Sequence, residues 1–206
     1  MVEAESLVEV FPDVWEWSAF SPEHRVELTS HAVRTGAGWV VFDPLPLRDE
    51  LWRHWPAGGP VAGVVLTNGN HVRGVREWLP RVSGPVWGRR GVDYEGLAVE
   101  ELEPGPGSGP WSGWEVVDLA GGGPGETAWV RADRQLAVVG DAVVHLAGRG
   151  LEVLPDRYCT DPVRLRQALG RLARLGFDRL VVAHGRPLEE RAAARVAALL
   201  GTGTGG

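Results

Sequence analysis

One stretch constrains the fold more than any other, because an apolar run in it ends abruptly in polar residues. Residues 61–66 read Val-Ala-Gly-Val-Val-Leu, and residues 67–73 read Thr-Asn-Gly-Asn-His-Val-Arg. A short β-branched run of this kind predicts a buried strand, and the spacing of Val72, Val75 and Leu79 predicts a helix after it. In open α/β sheets, the junction between a strand's carboxyl end and the next helix commonly forms a ligand site. The sequence therefore predicts a pocket at residues 67–73.

Antiparallel strands are predicted before this stretch and parallel pairing around it. Alternating apolar residues and turn signals predict two hairpins, with strands at residues 7–11, 14–20, 26–34 and 38–42. A short amphipathic helix is predicted at 47–55, ahead of Pro56. Another strand is predicted at 85–88, which completes a β-α-β order and favours parallel pairing.

The second half of the chain repeats the order of strands followed by helices. Residues 103–113 are rich in proline and glycine and predict an exposed loop. Strands are predicted beyond it at 114–119, 127–131, 135–139 and 180–183, and helices at 162–175 and 188–200. Asp161 and Pro162 provide an N-cap and a first helical residue. We predict one domain over residues 1–200 and a disordered tail over 201–206.

Composition excludes several classes of partner. The formal net charge is −6 and the chain contains no lysine, which argues against binding to nucleic acid. The single cysteine, Cys159, excludes an internal disulfide. No apolar run approaches the roughly 18–20 residues that a membrane span needs, and the acidic start of the sequence is not that of a signal peptide. We expect a cytoplasmic protein with no membrane partner.

Polar residues follow three of the predicted buried strands: the 67–73 cluster, Asp141 after 135–139, and His184 after 180–183. With these motifs the chain resembles the metallo-β-lactamase fold superfamily. The resemblance extends to Phe42-Asp43-Pro44, to the Gly-Gly-Gly-Pro-Gly-Glu-Thr run at 121–127 and to His184-Gly185-Arg186-Pro187. It implies an α/β (α+β) fold, a four-layer αββα sandwich with a metal site between the edges of the sheets.

The chain departs from the superfamily at most metal ligands. The superfamily's Thr-His-x-His-x-Asp-His motif falls on residues 67–73, so its four ligand positions hold Asn68, Asn70, Val72 and Arg73. Its Gly-His-Thr-Pro-Gly motif falls on 121–125, so Gly122 stands in place of another histidine. The resemblance retains Asp141 and His184 alone. One of the two metal positions is left with neutral amides and a glycine, which are poor ligands.

The remaining metal position supports two interpretations. We expect no cofactor, with Arg73 taking the place of the metal in a bidentate ion pair with Asp141. The alternative is one Zn, Fe or Mn ion bound by Asp141, His184 and His71, since His71 lies next to a superfamily ligand position. A purely structural interpretation also stays open, in which Asn70 caps the following helix and His71 is an ordinary hydrogen-bonded histidine.

Two functions follow from these interpretations. The first is a hydrolase-like protein that has lost its dinuclear site and binds a small molecule or a protein partner without catalysis. The alternative is a metal-dependent hydrolase with an altered single-metal site. The predicted pocket consists of Asn68, Asn70, His71, Arg73, Gly122, Asp141 and His184.

Overall fold

The structure is a computed structural model that describes residues 2–57 and 59–201. A seven-stranded sheet forms its first half. Its strands are β1 (Ser6–Phe11), β2 (Val14–Ser21), β3 (Val26–Thr35), β4 (Gly38–Phe42), β5 (Val61–Val65), β6 (Val86–Arg89) and β7 (Glu100–Leu102). They lie side by side in chain order. The first four are antiparallel, and β4 to β7 are parallel. The parallel half follows from the helical crossovers on either side of β5, α1 (Asp49–Trp52) and α2 (Val75–Trp78).

A four-stranded sheet forms the second half. Its strands are β8 (Trp114–Asp118), β9 (Thr127–Arg131), β10 (Leu136–Val139) and β13 (Arg179–Val182), in the order β13-β10-β9-β8. The parallel pair β10 and β13 is connected through α3 (Pro162–Ala173), and α4 (Ala192–Gly201) follows β13. Asp161 caps α3 by accepting hydrogen bonds from the backbone N–H groups of Val163 and Arg164, as its sequence predicts.

Three apolar clusters separate four layers. On β4, Trp39 and Val41 pack toward the helices on the outer face, whereas Val40 and Phe42 pack between the two sheets. On β10, Ala137 and Val139 pack with α3 and α4, and the alternate residues face the first sheet. Because successive side chains of a strand point to opposite faces, strands this apolar must be covered on both sides. The αββα sandwich is thereby confirmed.

Several elements differ from the sequence prediction. The helices predicted at 47–55 and after Val72 shorten to α1 and α2, and Pro80 falls in a 3₁₀ turn after α2. The helix predicted from Leu188 begins at Ala192, because Leu188 forms a backbone bridge with Leu180. Strand β7 and a two-stranded ribbon, β11 (Val143–Leu146) with β12 (Gly150–Val153), were not predicted. Their sequences are short, and in β7 two of three residues are glutamates.

Two further observations concern the sequence predictions. The described part of the chain, 2–57 and 59–201, contains no helix of the length and apolar character that crossing a bilayer requires. Helix α4 extends to Gly201, and the rest of the predicted tail, 202–206, lies outside the described residues.

Candidate metal centre

A cleft of about 710 Å³ opens at the carboxyl ends of β5, β10 and β13. Among its lining residues are Asn70, His71, Arg73, Asp141 and His184. The two sheets bring these residues together from distant parts of the sequence, because β5 and β10 both end at this edge. The polar residues that follow the buried strands therefore share one cavity.

Three side chains converge on one point of the cleft. The Nε2 atom of His71 lies 3.0 Å from Oδ1 of Asp141, and Nε2 of His184 lies 2.9 Å from the same oxygen. The potential ligand atoms of all three lie within 4.8 Å of one another. Although both nitrogens are close, Oδ1 is buried and accepts no hydrogen bond of acceptable direction from the described residues. The three side chains therefore form one close cluster of an acid and two imidazoles.

Both histidines are held through their other ring nitrogen. Nδ1 of His184 lies 3.1 Å from the carbonyl oxygen of Glu27, and Nδ1 of His71 lies 2.9 Å from Oδ2 of Asp43. An Nδ1–H group that donates to these oxygens leaves Nε2 as the ring nitrogen beside Asp141, and in His71 this Nε2 also accepts a hydrogen bond of 3.3 Å from Nη2 of Arg73. Histidines that ligate metals are usually held by a carboxylate or a carbonyl in this way.

Asp43 is in turn fixed by the strand end where the predicted pocket begins. Its Oδ1 accepts a hydrogen bond of 2.8 Å from the backbone N–H of Thr67, and its Oδ2 accepts one of 2.6 Å from the hydroxyl of Thr67. Asp43 is 3% exposed, so these hydrogen bonds and His71 supply the polar contacts that burial requires. Asp43 therefore orients the imidazole of His71 through its Nδ1 atom.

The protonation equilibria of the centre are strongly coupled. Burial and the charge of Arg73 oppose protonation of His71, but the carboxylates of Asp141 and Asp43 outweigh them and raise its pKa to about 9. Burial alone would raise the pKa of Asp141, yet the positive charge of His71 and the contact with His184 hold that pKa well below its ordinary value. Burial would likewise raise the pKa of Asp43, and His71 reverses the shift and lowers it.

Arg73 does not form the expected ion pair with Asp141. Its Nη1 donates to the carbonyl oxygens of Thr29, at 2.8 Å, and Asp43, at 3.3 Å, while Nη2 lies 3.3 Å from Nε2 of His71. The backbone at Arg73 has a φ of 38°, in the left-handed region, and its guanidinium reaches the Thr29 carbonyl on β3. His71, two residues earlier, contacts Asp141 instead.

The other residues of the predicted pocket lie in different surroundings. Asn68 is fully buried, and its Oδ1 accepts a hydrogen bond of 2.9 Å from the backbone N–H of Asn70. Asn70 lines the cleft and does not cap α2, whose N-cap residue is Gly74. Gly122 is buried beside the cleft, where a Cβ would lie 2.9 Å from Cγ of Glu126.

Glu126 is a buried acid that the sequence interpretation did not single out. It is 1% exposed, and its carboxyl group accepts hydrogen bonds from Nδ2 of Asn68, at 2.7 Å, and from the backbone N–H of Ala142, at 3.1 Å. Burial, with the nearby Asp141, raises the pKa of Glu126 to about 8. The available signal was its place directly after the Gly-Pro-Gly turn of a site loop.

The sequence matches the model of one protein family over most of its length. Residues 6–199 match the model of the metallo-beta-lactamase superfamily, which spans nearly the whole chain. The chain belongs to the metallo-beta-lactamase superfamily. No curated protein sequence matches it.

Solved structures of this superfamily share the fold at low sequence identity. The metallo-beta-lactamase FIM-1 from Pseudomonas aeruginosa, in its mono-zinc form, is 12% identical with a TM-score of 0.74, and the match covers 97% of this chain and 96% of that one. A metallo beta-lactamase from Erythrobacter litoralis is 13% identical with a TM-score of 0.71, over 95% and 91% of the two chains. TTHA1623, in a di-iron-bound form, is 22% identical with a TM-score of 0.64, over 86% and 96%.

The residues present fit one metal ion of the superfamily and do not fit two. Two imidazole nitrogens and a carboxylate oxygen form a set that Zn²⁺ and Fe²⁺ accept, and Asp141 Oδ1 is a buried atom without an aligned donor. The other position offers Asn68, Asn70 and Gly122. There the Asn68 amide is already hydrogen-bonded to Glu126 and Asn70.

Proposed function

We propose that this protein is a metal-dependent hydrolase with a single metal ion bound by His71, Asp141 and His184. The observation that carries the proposal is the convergence of both Nε2 atoms on one oxygen of Asp141, at 3.0 and 2.9 Å. Ligand atoms about 2.1 Å from a shared ion lie about 3.0–3.4 Å from one another, so the two nitrogen-to-oxygen distances are close to those of a metal site, and all three atoms lie within 4.8 Å of one another.

The residues of the cleft have distinct roles in this proposal. Asp43 and the Glu27 carbonyl hold the two imidazoles so that each Nε2 faces the cleft. A divalent cation bound there supplies Lewis acidity to a carbonyl or phosphoryl group. Arg73 adds a fixed positive charge beside the centre, since its Nη2 is 3.3 Å from His71. That charge favours an anionic substrate or a developing oxyanion.

A second candidate function is binding of a small molecule or a protein partner without catalysis and without metal. It is favoured by the short distance between Arg73 and Nε2 of His71, because a guanidinium repels a divalent cation. A protonated His71, whose pKa is raised to about 9, also pairs with Asp43 and Asp141 without an ion. The expectation of no cofactor therefore stays a prediction that experiment must test.

A substrate screen separates the two candidates. The protein is assayed with ester, thioester, lactone and phosphodiester substrates after addition of Zn, Mn or Fe. The hydrolase proposal expects activity with at least one metal, and loss of that activity in Asp141→Ala and His184→Ala. The control is His54→Ala, which alters an exposed histidine near α1. Inertness with every metal, together with a folded protein, would favour the binding protein.

A further inference from the structure

The side chain of Glu126 fills the space that a side chain at position 122 would need. A Cβ on Gly122 would lie 2.9 Å from Cγ of Glu126 and 3.1 Å from its Cβ. A Cβ on Gly123 would lie 3.2 Å from Oε2 of the same residue. Carbon atoms this close require one of them to shift, so a larger residue at 122 would have to displace the Glu126 side chain or the surrounding loop.

The Glu126 carboxyl group is buried without a cation to balance it. Among the described residues its partners are the amide of Asn68 and the backbone N–H of Ala142, and no basic side chain forms an ion pair with it. Burying an acid in this way is costly unless its hydrogen bonds are satisfied. A buried, hydrogen-bonded acid next to a cleft of ionisable groups is a candidate for a role in the site.

Asn68 connects Glu126 to the candidate metal ligand. Its Nδ2 donates to Oε2 of Glu126 at 2.7 Å and to Oδ2 of Asp141 at 3.3 Å. Its Oδ1 is held by the backbone N–H of Asn70, so the amide cannot rotate freely. The amide therefore holds Oδ2 of Asp141 and leaves Oδ1 facing His71 and His184.

We propose that Asn68 and Glu126 permanently fill one of the superfamily's two metal positions and act as positioning residues for Asp141. The centre then accepts one ion, and the hydrogen-bonded pair replaces the second ion as the group that orients the aspartate. The part of this inference that concerns one ion at His71, Asp141 and His184 rests on the proposed metal-dependent function. The filling of the other position rests on the contacts of Glu126 alone.

Metal stoichiometry tests whether Glu126 fills the position. Zinc per chain is measured by elemental analysis in the wild type, in the triple variant Asn68→His, Asn70→His, Gly122→His, and in the same variant with Glu126→Ser added. We expect the quadruple variant to bind one more ion than the wild type, and the triple variant to gain none because Glu126 still occupies the space. An equal gain in the triple variant, no gain in the folded quadruple variant, or two ions in the wild type would overturn the inference.

The same measurement separates this inference from the proposed function. A wild type that binds no ion contradicts the metal-dependent hydrolase. A gain of one ion that requires Glu126→Ser would still support the filled position in that case. Failure of the filled position and failure of the proposed function therefore give different metal stoichiometries.

Affinity tests the positioning role without rebuilding the site. In Asn68→Ala, the zinc affinity measured by chelator competition should fall about 10–100-fold, as is typical when a group behind a metal ligand is lost. Glu16→Gln is the matched control, because Glu16 also pairs with a buried histidine, His31 at 2.9 Å, but lies outside the cleft. Thermal unfolding confirms that both variants are folded. Equal zinc affinity in Asn68→Ala and Glu16→Gln would overturn the positioning role.

Discussion

The two metal positions that the superfamily motifs assign to this cleft hold different sets of residues. At one position, Asn68 and Glu126 bond to each other. Of the residues that replace ligands there, Asn68 is buried, Gly122 has no side chain and Asn70 is exposed in the cleft. At the other, Asp141 and His184 are retained and His71 approaches from a neighbouring position. The first region is closed by internal hydrogen bonds, whereas the second keeps an acceptor oxygen without an aligned donor. The two positions therefore carry separate expectations, no ion at the first and one ion at the second.

The largest effect is expected from removing a retained ligand. Asp141→Ala or His184→Ala should lower zinc affinity by more than about 100-fold, since even outer contacts of a metal ligand contribute about 10–100-fold. Isothermal titration calorimetry measures the affinity, with His54→Ala as the control. Undiminished affinity in both variants would show that these side chains do not form the site.

Loss of the contact between Asp43 and His71 should have the next largest effect on zinc affinity. Asp43→Asn removes a charge that lies 2.9 Å from Nδ1 of His71 and should weaken zinc binding about 10–100-fold. The comparison variant is Glu16→Gln, which removes the carboxylate beside His31 outside the cleft. If both variants bind zinc equally well, Asp43 supports the strand end at Thr67 but does not orient a ligand.

The buried carboxyl group of Glu126 should make the free energy of unfolding depend on pH. The pKa of Glu126 is raised from 4.5 to about 8, so the folded chain holds a proton that the unfolded chain releases. The stabilisation is fully present below about pH 4.5 and is lost as pH rises through about 8, by on the order of 1.4 kcal/mol per pKa unit. His71 acts in the same direction up to about pH 9, so the wild type alone cannot isolate Glu126.

Glu126→Gln isolates this contribution. Urea unfolding with a chelator present, at several pH values between about 5 and 8.5, should show a smaller loss of stability with rising pH than in the wild type. The difference in slope between the two proteins is the quantity to compare, because the substitution also changes hydrogen bonds at every pH. Identical slopes would mean that Glu126 is ionised throughout this range.

The smallest effect is expected at Arg73. Arg73→Gln removes a positive charge 3.3 Å from Nε2 of His71 and should raise zinc affinity about 3–10-fold, consistent with a partly screened repulsion. Arg76→Gln, on the exposed face of α2, is the matched control and should have no effect. A lower affinity in Arg73→Gln would indicate that the guanidinium supports the site through Thr29 and Asp43.

Local patterns in the sequence were sufficient for most of the fold. The apolar runs of β4 and β10 and the cap at Asp161 predicted strands and a helix where the structure has them. The ribbon of β11 and β12 has no comparable signal, because its strands pair with each other and their residues are mostly half-buried.

The site was less predictable because its contacts are not local. Polar residues after buried strands placed Asp141 and His184 at one edge of the fold. Arg73 has a left-handed backbone and donates to Thr29 and Asp43, and no local sequence pattern indicates either feature. The contact between Glu126 and Asn68 joins residues 58 positions apart, and only the packing of the two sheets brings it about.

The number of metal ions per chain, after loading with Zn, Mn or Fe and removal of excess metal, decides whether this cleft is a single-metal centre. We expect one ion per chain in the wild type and none in His184→Ala or His71→Ala. Two ions per chain, none with any of the three metals, or one ion retained in His71→Ala would contradict it.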